Sequence, residues 1–291
     1  MTGHGPGVRE HLIGLIGSTI TTSLSPALHH READHHGLRY LYRTIDIAEL
    51  GLGAGAAGEL VRSARRLGYT GLNITHPCKQ TVIPHLDELS PDAERLGAVN
   101  TVTFDGDRAI GHNTDWTGFA ESFARGLPDA RTRRIVQAGA GGAGAAVAHA
   151  LLTLGADRIT LVDADPSRAH ALAAELRRRF GHARAHAGGT ADLKELLGEA
   201  DGLVNATPIG MVAHPGTPVP AELLHPALWV ADVIYRPMRT ELLAHATGLG
   251  CRTLDGGGMV VFQAAHAFRL FTGLDPDPER MLGHLAELVT R

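Results

Sequence analysis

Two groups of residues have the types and spacings that chemistry requires. The first lies in Ile135-Val136-Gln137-Ala138-Gly139-Ala140-Gly141-Gly142-Ala143-Gly144, where Gly139, Gly141 and Gly144 fit G-x-G-x-x-G. The first glycine permits a sharp turn. The second lets backbone N–H groups approach a pyrophosphate, and the third lets a helix pack closely on a strand. An apolar run precedes the turn, and a proline-free, alanine-rich run, Ala145 to Leu154, follows it. That predicts the buried strand and the helix that the motif needs, with the helix N-terminus facing phosphate. In a chain with 36 glycines the pattern alone is weak; in this context it reads as a dinucleotide site rather than a plain strand–helix turn. Asp163 follows about 19 residues after Gly144, where an acid accepts from ribose hydroxyls and repels a 2′-phosphate. This favours NAD over NADP. Asp165, ahead of Pro166, reads as a helix N-cap, and Arg168 falls inside that helix.

The second group is polar and lies in the first 115 positions. Asn73 and Thr75 share one face of a short strand, by the period of two, and Lys79 follows at the next helix start. Asn100 and Asp115 sit at the ends of two further predicted strands. Such a set of amide, hydroxyl, amine and carboxylate could hold a polyhydroxy acid. Taken alone, Lys79 reads more readily as a surface lysine.

These residues need elements to position them. At 291 residues, 44% hydrophobic and 20% charged, the chain should form about two globular domains. Aromatics are only 4%, so the cores should be built from Ala, Leu, Val and Ile. The first 114 residues predict an α/β domain. Its strands are His11–Gly17, Arg39–Asp46, Gly71–Thr75 and a hairpin around Asp105-Gly106; its helices are one from Pro26, one over Gly58–Leu67 and a short one over Gln80–Leu86. Leu60, Val61, Ala64 and Leu67 should share the buried face of the second helix. A helix from Asp115 leads into strand–helix alternation to residue 255, which predicts a doubly wound parallel sheet. Two last helices, Met259–Phe271 and Pro278–Val289, should pack back on the first domain. The expected division is therefore 1–114 with 256–291, and 115–255.

Several classes are disfavoured. The net charge of -4 gives no basic footprint for nucleic acid. Leu12 to Ile16 is too short for a membrane span or a signal core. Two cysteines, Cys78 and Cys251, suit a reducing cytoplasm better than a disulfide framework. The 18 histidines include no H-E-x-x-H, and the adjacent pairs His29-His30 and His35-His36 cannot face one ion from a helix. Solvated or locally hydrogen-bonded histidines, and no metal, are expected.

Eight motifs in order make the chain recognisable. They are Ser23-Leu24-Ser25-Pro26; Asn73-Ile74-Thr75-His76-Pro77-Cys78-Lys79-Gln80; Gly97-Ala98-Val99-Asn100-Thr101; Gly111-His112-Asn113-Thr114-Asp115; the glycine turn; Asn205-Ala206-Thr207-Pro208; Asp232-Val233-Ile234-Tyr235; and Asp255-Gly256 leading to Gln263-Ala264-Ala265. Over nearly its whole length the chain resembles the shikimate dehydrogenase family, and more closely its quinate/shikimate dehydrogenase branch. The resemblance implies that Ser23 and Ser25 bind the substrate carboxylate, and that Thr75, Asn100 and Gln263 hold ring hydroxyls. Asn73 and Tyr235 would assist at the carboxylate end or the pocket wall. Lys79 and Asp115 would be the catalytic pair. Gly139, Ala140, Gly141, Gly142, Ala143 and Gly144, with Asp163 and nearby Arg168, would bind the dinucleotide; Thr207, Val233, Gly256 and Met259 would border the nicotinamide. A monomer or a homodimer is expected.

Two departures bear on specificity. Ala164-Asp165 stands where NADP-using members often carry Arg-Thr, which supports NAD. Ser25 stands where some quinate-preferring members carry threonine, which suits shikimate without excluding quinate. The expectation is an NAD-preferring shikimate dehydrogenase with some quinate oxidation. The alternatives are an NADP-dependent enzyme, a related dehydrogenase acting on another hydroxy acid, or a dinucleotide-binding regulator without turnover, which would have no need of both Lys79 and Asp115.

Overall fold

The apolar run beginning at Leu12 becomes an inner strand of the first of two sheets in the structure, a computed structural model that describes residues 10–290. The Gly-rich start of the chain lies outside those residues. By its contacts the chain divides into Met1–Thr114 with Gln263–Arg291, and Asp115–Phe262.

The first unit contains β1 (Glu10–Gly17), α1 (Ser25–His35), β2 (Arg39–Asp46), α2 (Ala57–Arg66), β3 (Gly71–Ile74), α3 (Cys78–Thr81), β4 (Glu88–Leu89), α4 (Pro91–Leu96), β5 (Thr101–Asp105) and β6 (Arg108–His112). The sheet order is β2-β1-β3-β5-β6-β4. β1 runs parallel to β2 and β3, whereas β3–β5 and β5–β6 are antiparallel, so the sheet is mixed. β5 and β6 join through Gly106-Asp107, with Gly106 at φ +58°, the left-handed conformation that a two-residue hairpin demands. In α2, Val61 and Ala64 are buried, but Leu67 is 73% exposed and does not share that face. The helix ends at Arg66, and Leu67 already belongs to the turn completed by Gly68 at φ +82°. The short β4 and α4 were not foreseen. Six residues are too few for a helical period to register, although Ser90, which accepts from Ala93 N, and Pro91 at the helix start are a cap signal.

The second unit contains α5 (Asp115–Gly126), β7 (Arg134–Ala138), α6 (Gly142–Thr153), β8 (Arg158–Val162), α7 (Pro166–Phe180), β9 (Ala185–Ala187), α8 (Leu193–Gly198), β10 (Gly202–Asn205), β11 (Trp229–Asp232), α9 (Glu241–Gly248) and β12 (Arg252–Leu254). The sheet is parallel throughout, in the order β12-β11-β10-β7-β8-β9. This is the doubly wound dinucleotide-binding order, and the winding reverses between β7 and β10. Parallel strands covered on both faces read as continuous apolar runs, as Ile159-Thr160-Leu161-Val162 and Gly202-Leu203-Val204 do. In α6, Ala146, Ala148 and Ala150 are buried beside Val147, Leu151 and Leu152, and the helix packs on α5 as well as over β7 and β8.

Two C-terminal helices follow, α10 (Gly257–Thr272) and α11 (Pro278–Val289). In the first unit α11 packs on α1, where the buried Glu32 carboxylate receives Arg280 Nη2 at 2.6 Å and Nε at 3.0 Å. The second chain crossing falls inside α10, between Phe262 and Gln263, rather than at Gly256. The cause is that α10 is one continuous helix. Met259 belongs to the core of the second unit, while Ala267, Phe268 and Phe271 belong to that of the first. No helix of the described residues is long and apolar enough to cross a membrane.

Candidate active site

In the second unit the glycine turn leaves the carboxyl end of β7, beside β10, where the winding reverses. Ligands of doubly wound sheets bind at that edge. Gly139 has φ +101°, and a Cβ there would lie 2.6 Å from the Ala206 carbonyl and 2.9 Å from Thr207 N. A Cβ on Gly144 would lie 2.3 Å from Gly139 O. Any side chain at these two positions collides with backbone. A Cβ on Gly141 would meet no protein atom within 4 Å. The fold itself therefore explains the first and third glycines, and the second is left for what approaches the turn. α6 starts directly after Gly141 with no side-chain cap, so its first N–H groups suit an anion, and the donor set fits a pyrophosphate.

Gln137 supports this turn and had no assigned role. It is fully buried in β7, and its Nε2 donates to Gly139 O at 2.8 Å and to Gly144 O at 2.9 Å. A lone carboxamide between Val136 and Ala138 in an apolar strand was the available signal.

Asp163 follows β8. Its Oδ2 accepts from Ala140 N at 2.8 Å and its Oδ1 from Asp165 N at 2.9 Å, and further lone pairs remain for a ligand. Asp165 caps α7, accepting from Ser167 Oγ at 2.6 Å and Ser167 N at 3.0 Å, and the Ser167 hydroxyl in particular holds its carboxyl below the usual range. Exposed Arg168 lies 3.6 Å from that same Asp165 carboxylate. At the neighbouring strand ends, buried Asn205 accepts from Thr207 Oγ1 at 2.7 Å and Thr207 N at 3.0 Å, and donates to Asp232 Oδ1 at 3.0 Å. Asp232 also accepts from Ile234 N and Thr240 Oγ1; burial nonetheless lifts it above the usual carboxylate range. These bonds fix Thr207 and the segment of Val233. Gly256 is pressed on Val233, where a Cβ would lie 2.3 Å from its carbonyl oxygen. Tyr235 is half-buried, and burial raises its phenol. Met259, 9% exposed, packs in the hydrophobic core.

In the first unit a buried hydrogen-bonded chain joins two of the sequence-derived residues, Asn73 and Asn100, with two that were missed, Tyr42 and Thr101. Asn73 Nδ2 donates to Asn100 O at 3.2 Å and Thr101 Oγ1 at 3.1 Å. A carbonyl can only accept, so the Asn73 amide is oriented by it, and Oδ1 must face Tyr42, whose hydroxyl donates at 2.8 Å. Burial raises the Tyr42 phenol well above its ordinary value, and the nearby Ser25 side chain offsets that in part. Thr101 Oγ1 donates to Asn100 Oδ1 at 3.1 Å, and Asn100 Nδ2 donates to Thr114 Oγ1 at 2.9 Å. Both Asn73 donors are thus spent inside the protein, leaving a ligand only an acceptor.

Around this chain, Ser23 Oγ accepts from Ser25 N at 3.3 Å. The loop carrying both serines is held by buried Asp46, which accepts from Ile20 N at 2.7 Å and Thr19 N at 3.0 Å. Burial pushes the Asp46 carboxyl up, but backbone N–H groups of Ile20, Thr19, Ala48 and Glu49 outweigh it and bring it below the usual range. Thr75 is half-buried just beyond β3, over Gly17, where a Cβ would lie 2.3 Å from Thr75 Cγ2. Lys79 is half-buried on α3, and its carbonyl accepts from Val99 N at 2.9 Å. Gln263 is half-buried on α10. Asp115, in the second unit, is 7% exposed at the start of α5. Of the two expected histidine settings, solvated or locally hydrogen-bonded, His29 takes the hydrogen-bonded one. It is buried among Tyr40, Tyr42, Phe268 and Phe271, with Nδ1 2.9 Å from Tyr40 Oη. Among the described residues no group of three or more His, Cys, Asp or Glu could hold a metal ion.

Comparison with known proteins gives consistent matches. Residues 15–102 match the family model "Shikimate dehydrogenase substrate binding domain", residues 256–285 "Shikimate 5'-dehydrogenase C-terminal domain", and residues 135–211 "Saccharopine dehydrogenase NADP binding domain". The chain is 68% identical over 279 residues to a protein of Streptomyces avermitilis named shikimate dehydrogenase (NADP(+)), covering 96% of each. It is 50% identical over 271 residues to a quinate/shikimate dehydrogenase (NAD(+)) of Corynebacterium efficiens, covering 93% of this chain and 95% of that one. Among solved structures, quinate dehydrogenase from Corynebacterium glutamicum in complex with NAD superposes with a TM-score of 0.91 at 45% identity, covering 96% of this chain and 99% of that one.

Proposed function

Because the chain belongs to the shikimate dehydrogenase family of NAD(P)-dependent oxidoreductases acting on a CH–OH group, we propose that it interconverts shikimate and its 3-keto form with a preference for NAD, and also oxidises quinate. The observation that carries the cofactor choice is Asp163. A carboxylate after β8, braced on the glycine turn by Ala140 N, suits ribose hydroxyls and opposes a 2′-phosphate. Arg168, which could serve a phosphate, lies instead against Asp165.

The bound dinucleotide supplies the hydride acceptor. The chain's own residues bind the acid and take the proton. Ser23 and Ser25 receive the carboxylate, and Thr75, Asn100 and Gln263 hold ring hydroxyls. Asn73, with its donors spent, assists at the carboxylate end or the pocket wall, and Tyr235 has the same role. As the substrate carbon loses hydride, its hydroxyl proton passes to Lys79, which hydrogen-bonds the developing alkoxide, with Asp115 orienting the amine. Gly139 to Gly144 and Asp163 hold the dinucleotide, and Thr207, Val233 and Gly256 border its nicotinamide. Met259 supports that border from the core. Cys78 and Cys251 are free and buried, which suits the cytoplasm.

Initial rates with shikimate and quinate, each with NAD and NADP, test this reading. Higher kcat/KM with NAD is expected. Inactivity on both acids would overturn the substrate assignment. An NADP preference would favour the second reading, an NADP enzyme, to which the printed name of the Streptomyces avermitilis relative points.

A further inference from the structure

Gln137 is a polar residue in a strand buried from Ile135 to Ala138, and neither end of its amide is solvated. On β7, alternate residues face opposite sides. Ile135 lies in the hydrophobic cluster that contains α6 residues Val147, Ala148 and Leu151, whereas Val136 lies in the cluster on the other side. Gln137 shares the face of Ile135, so its side chain lies beneath α6 and reaches the strand end under the turn.

The two N–H groups of its amide go to two different segments. One donates to Gly139 O at 2.8 Å, at the end of the strand; the other donates to Gly144 O at 2.9 Å, in the first turn of α6. Its Oε1 is buried and has no hydrogen-bond partner. A buried acceptor without a partner is destabilising. An apolar side chain of the same length would avoid that penalty, so general stability does not account for the glutamine. What an apolar side chain would not do is bridge the two carbonyls that flank the phosphate-binding backbone.

We propose that Gln137 is a positioning residue for the dinucleotide: its carboxamide clamps the glycine turn to the first turn of α6 and so sets the N–H groups that receive the pyrophosphate. It does not touch the substrate or the reacting atoms. Its effect falls on cofactor binding and not on proton transfer. The proposal rests on the reading of the turn as a dinucleotide site.

The experiment compares Gln137→Met, which keeps length but has no donor, and Gln137→Glu, which keeps shape but sets carboxylate oxygens against two carbonyls. The readouts are titration calorimetry with NAD in the absence of any acid, steady-state kinetics with shikimate, and thermal melting of the full chain. For Gln137→Met the Kd and KM for NAD should rise about tenfold, the scale of the two neutral hydrogen bonds lost. Its kcat at saturating NAD and its KM for shikimate should stay within about twofold, a split that a merely loosened fold would not produce. Gln137→Glu should bind NAD more weakly still. An unchanged Kd for NAD in Gln137→Met would overturn the proposal. So would a parallel rise in both KM values with a fallen Tm. Wild-type protein that binds neither NAD nor NADP would instead refute the dinucleotide reading, and the clamp with it.

Discussion

The Asp163 carboxylate accepts a 2.8 Å hydrogen bond from the Ala140 backbone N–H. The acid proposed to read the ribose therefore also braces the loop proposed to hold the pyrophosphate. Hydrogen bonds to a charged group contribute about 1.5–3 kcal/mol. Asp163→Ala should thus raise the KM for NAD by roughly ten- to a hundredfold. Turnover with NADP should suffer less, because the repulsion of its 2′-phosphate disappears. Adding Ala164→Arg should move the ratio of kcat/KM values further toward NADP. An unchanged ratio in the double variant would place the discrimination outside the end of β8.

The glycines of the turn should separate by cause. Gly139→Ala forces a Cβ against the Ala206 carbonyl from a left-handed backbone, so it should lower the Tm by several degrees and abolish dinucleotide binding. Gly141→Ala meets no protein atom, so its Tm should stay near wild type while its KM for NAD rises. Melting curves beside cofactor titrations distinguish the two. A Gly141→Ala protein that binds NAD normally would remove the second glycine from the site.

Lys79→Ala should lose at least about a hundredfold in kcat with a modest change in the KM for shikimate, as expected for a positioned proton-transfer group. Steady-state kinetics at saturating NAD measure this. A near-normal kcat would exclude Lys79 from the proton path.

His29 makes stability depend on pH in a definite direction. Burial, with a smaller contribution from His30, lowers its pKa from 6.5 to about 3, so the folded protein keeps the ring neutral. Between those values the unfolded chain holds a proton that the folded chain does not. Stability is therefore full above pH 6.5 and falls as pH drops toward 3, by up to about 1.4 kcal/mol per pH unit from this group. Urea unfolding at pH 7 and pH 5 measures the loss. His29→Phe gives up the bond to Tyr40 and should be less stable at pH 7, with a smaller further loss at pH 5. Equal losses in both proteins would show that other groups set the acid sensitivity.

Most strands and longer helices were legible because each has an apolar pattern long enough to register. Pro278–Val289 coincides with α11, and Arg39–Asp46 with β2, from end to end. The glycine turn was legible because two of its glycines answer to backbone collisions, which leave a fixed spacing in sequence. Tyr42, Thr101 and Gln137 were not. Each acts through a partner remote in sequence or across a turn; Gln137 stands out locally only as a lone carboxamide in an apolar strand, and nothing in the local pattern of Tyr42 or Thr101 distinguishes it from an ordinary strand residue. The depth of His29 was not legible for a similar reason. The sequence allows a solvated or a hydrogen-bonded ring there, and Phe268 and Phe271, which close over it, lie more than two hundred positions away.

The alanines of α6 carry a consequence for how this domain tolerates mutation. Ala146, Ala148 and Ala150 are buried where larger residues would ordinarily fill the space between the helix and the elements packed around it. Truncation has nothing to remove at such positions. Enlargement has nowhere to go, and overpacking typically costs about 1–3 kcal/mol. Along this helix the harmful substitutions should be those that add atoms. Valine or leucine at Ala148 should push the helix away from its neighbours and carry the attached turn with it.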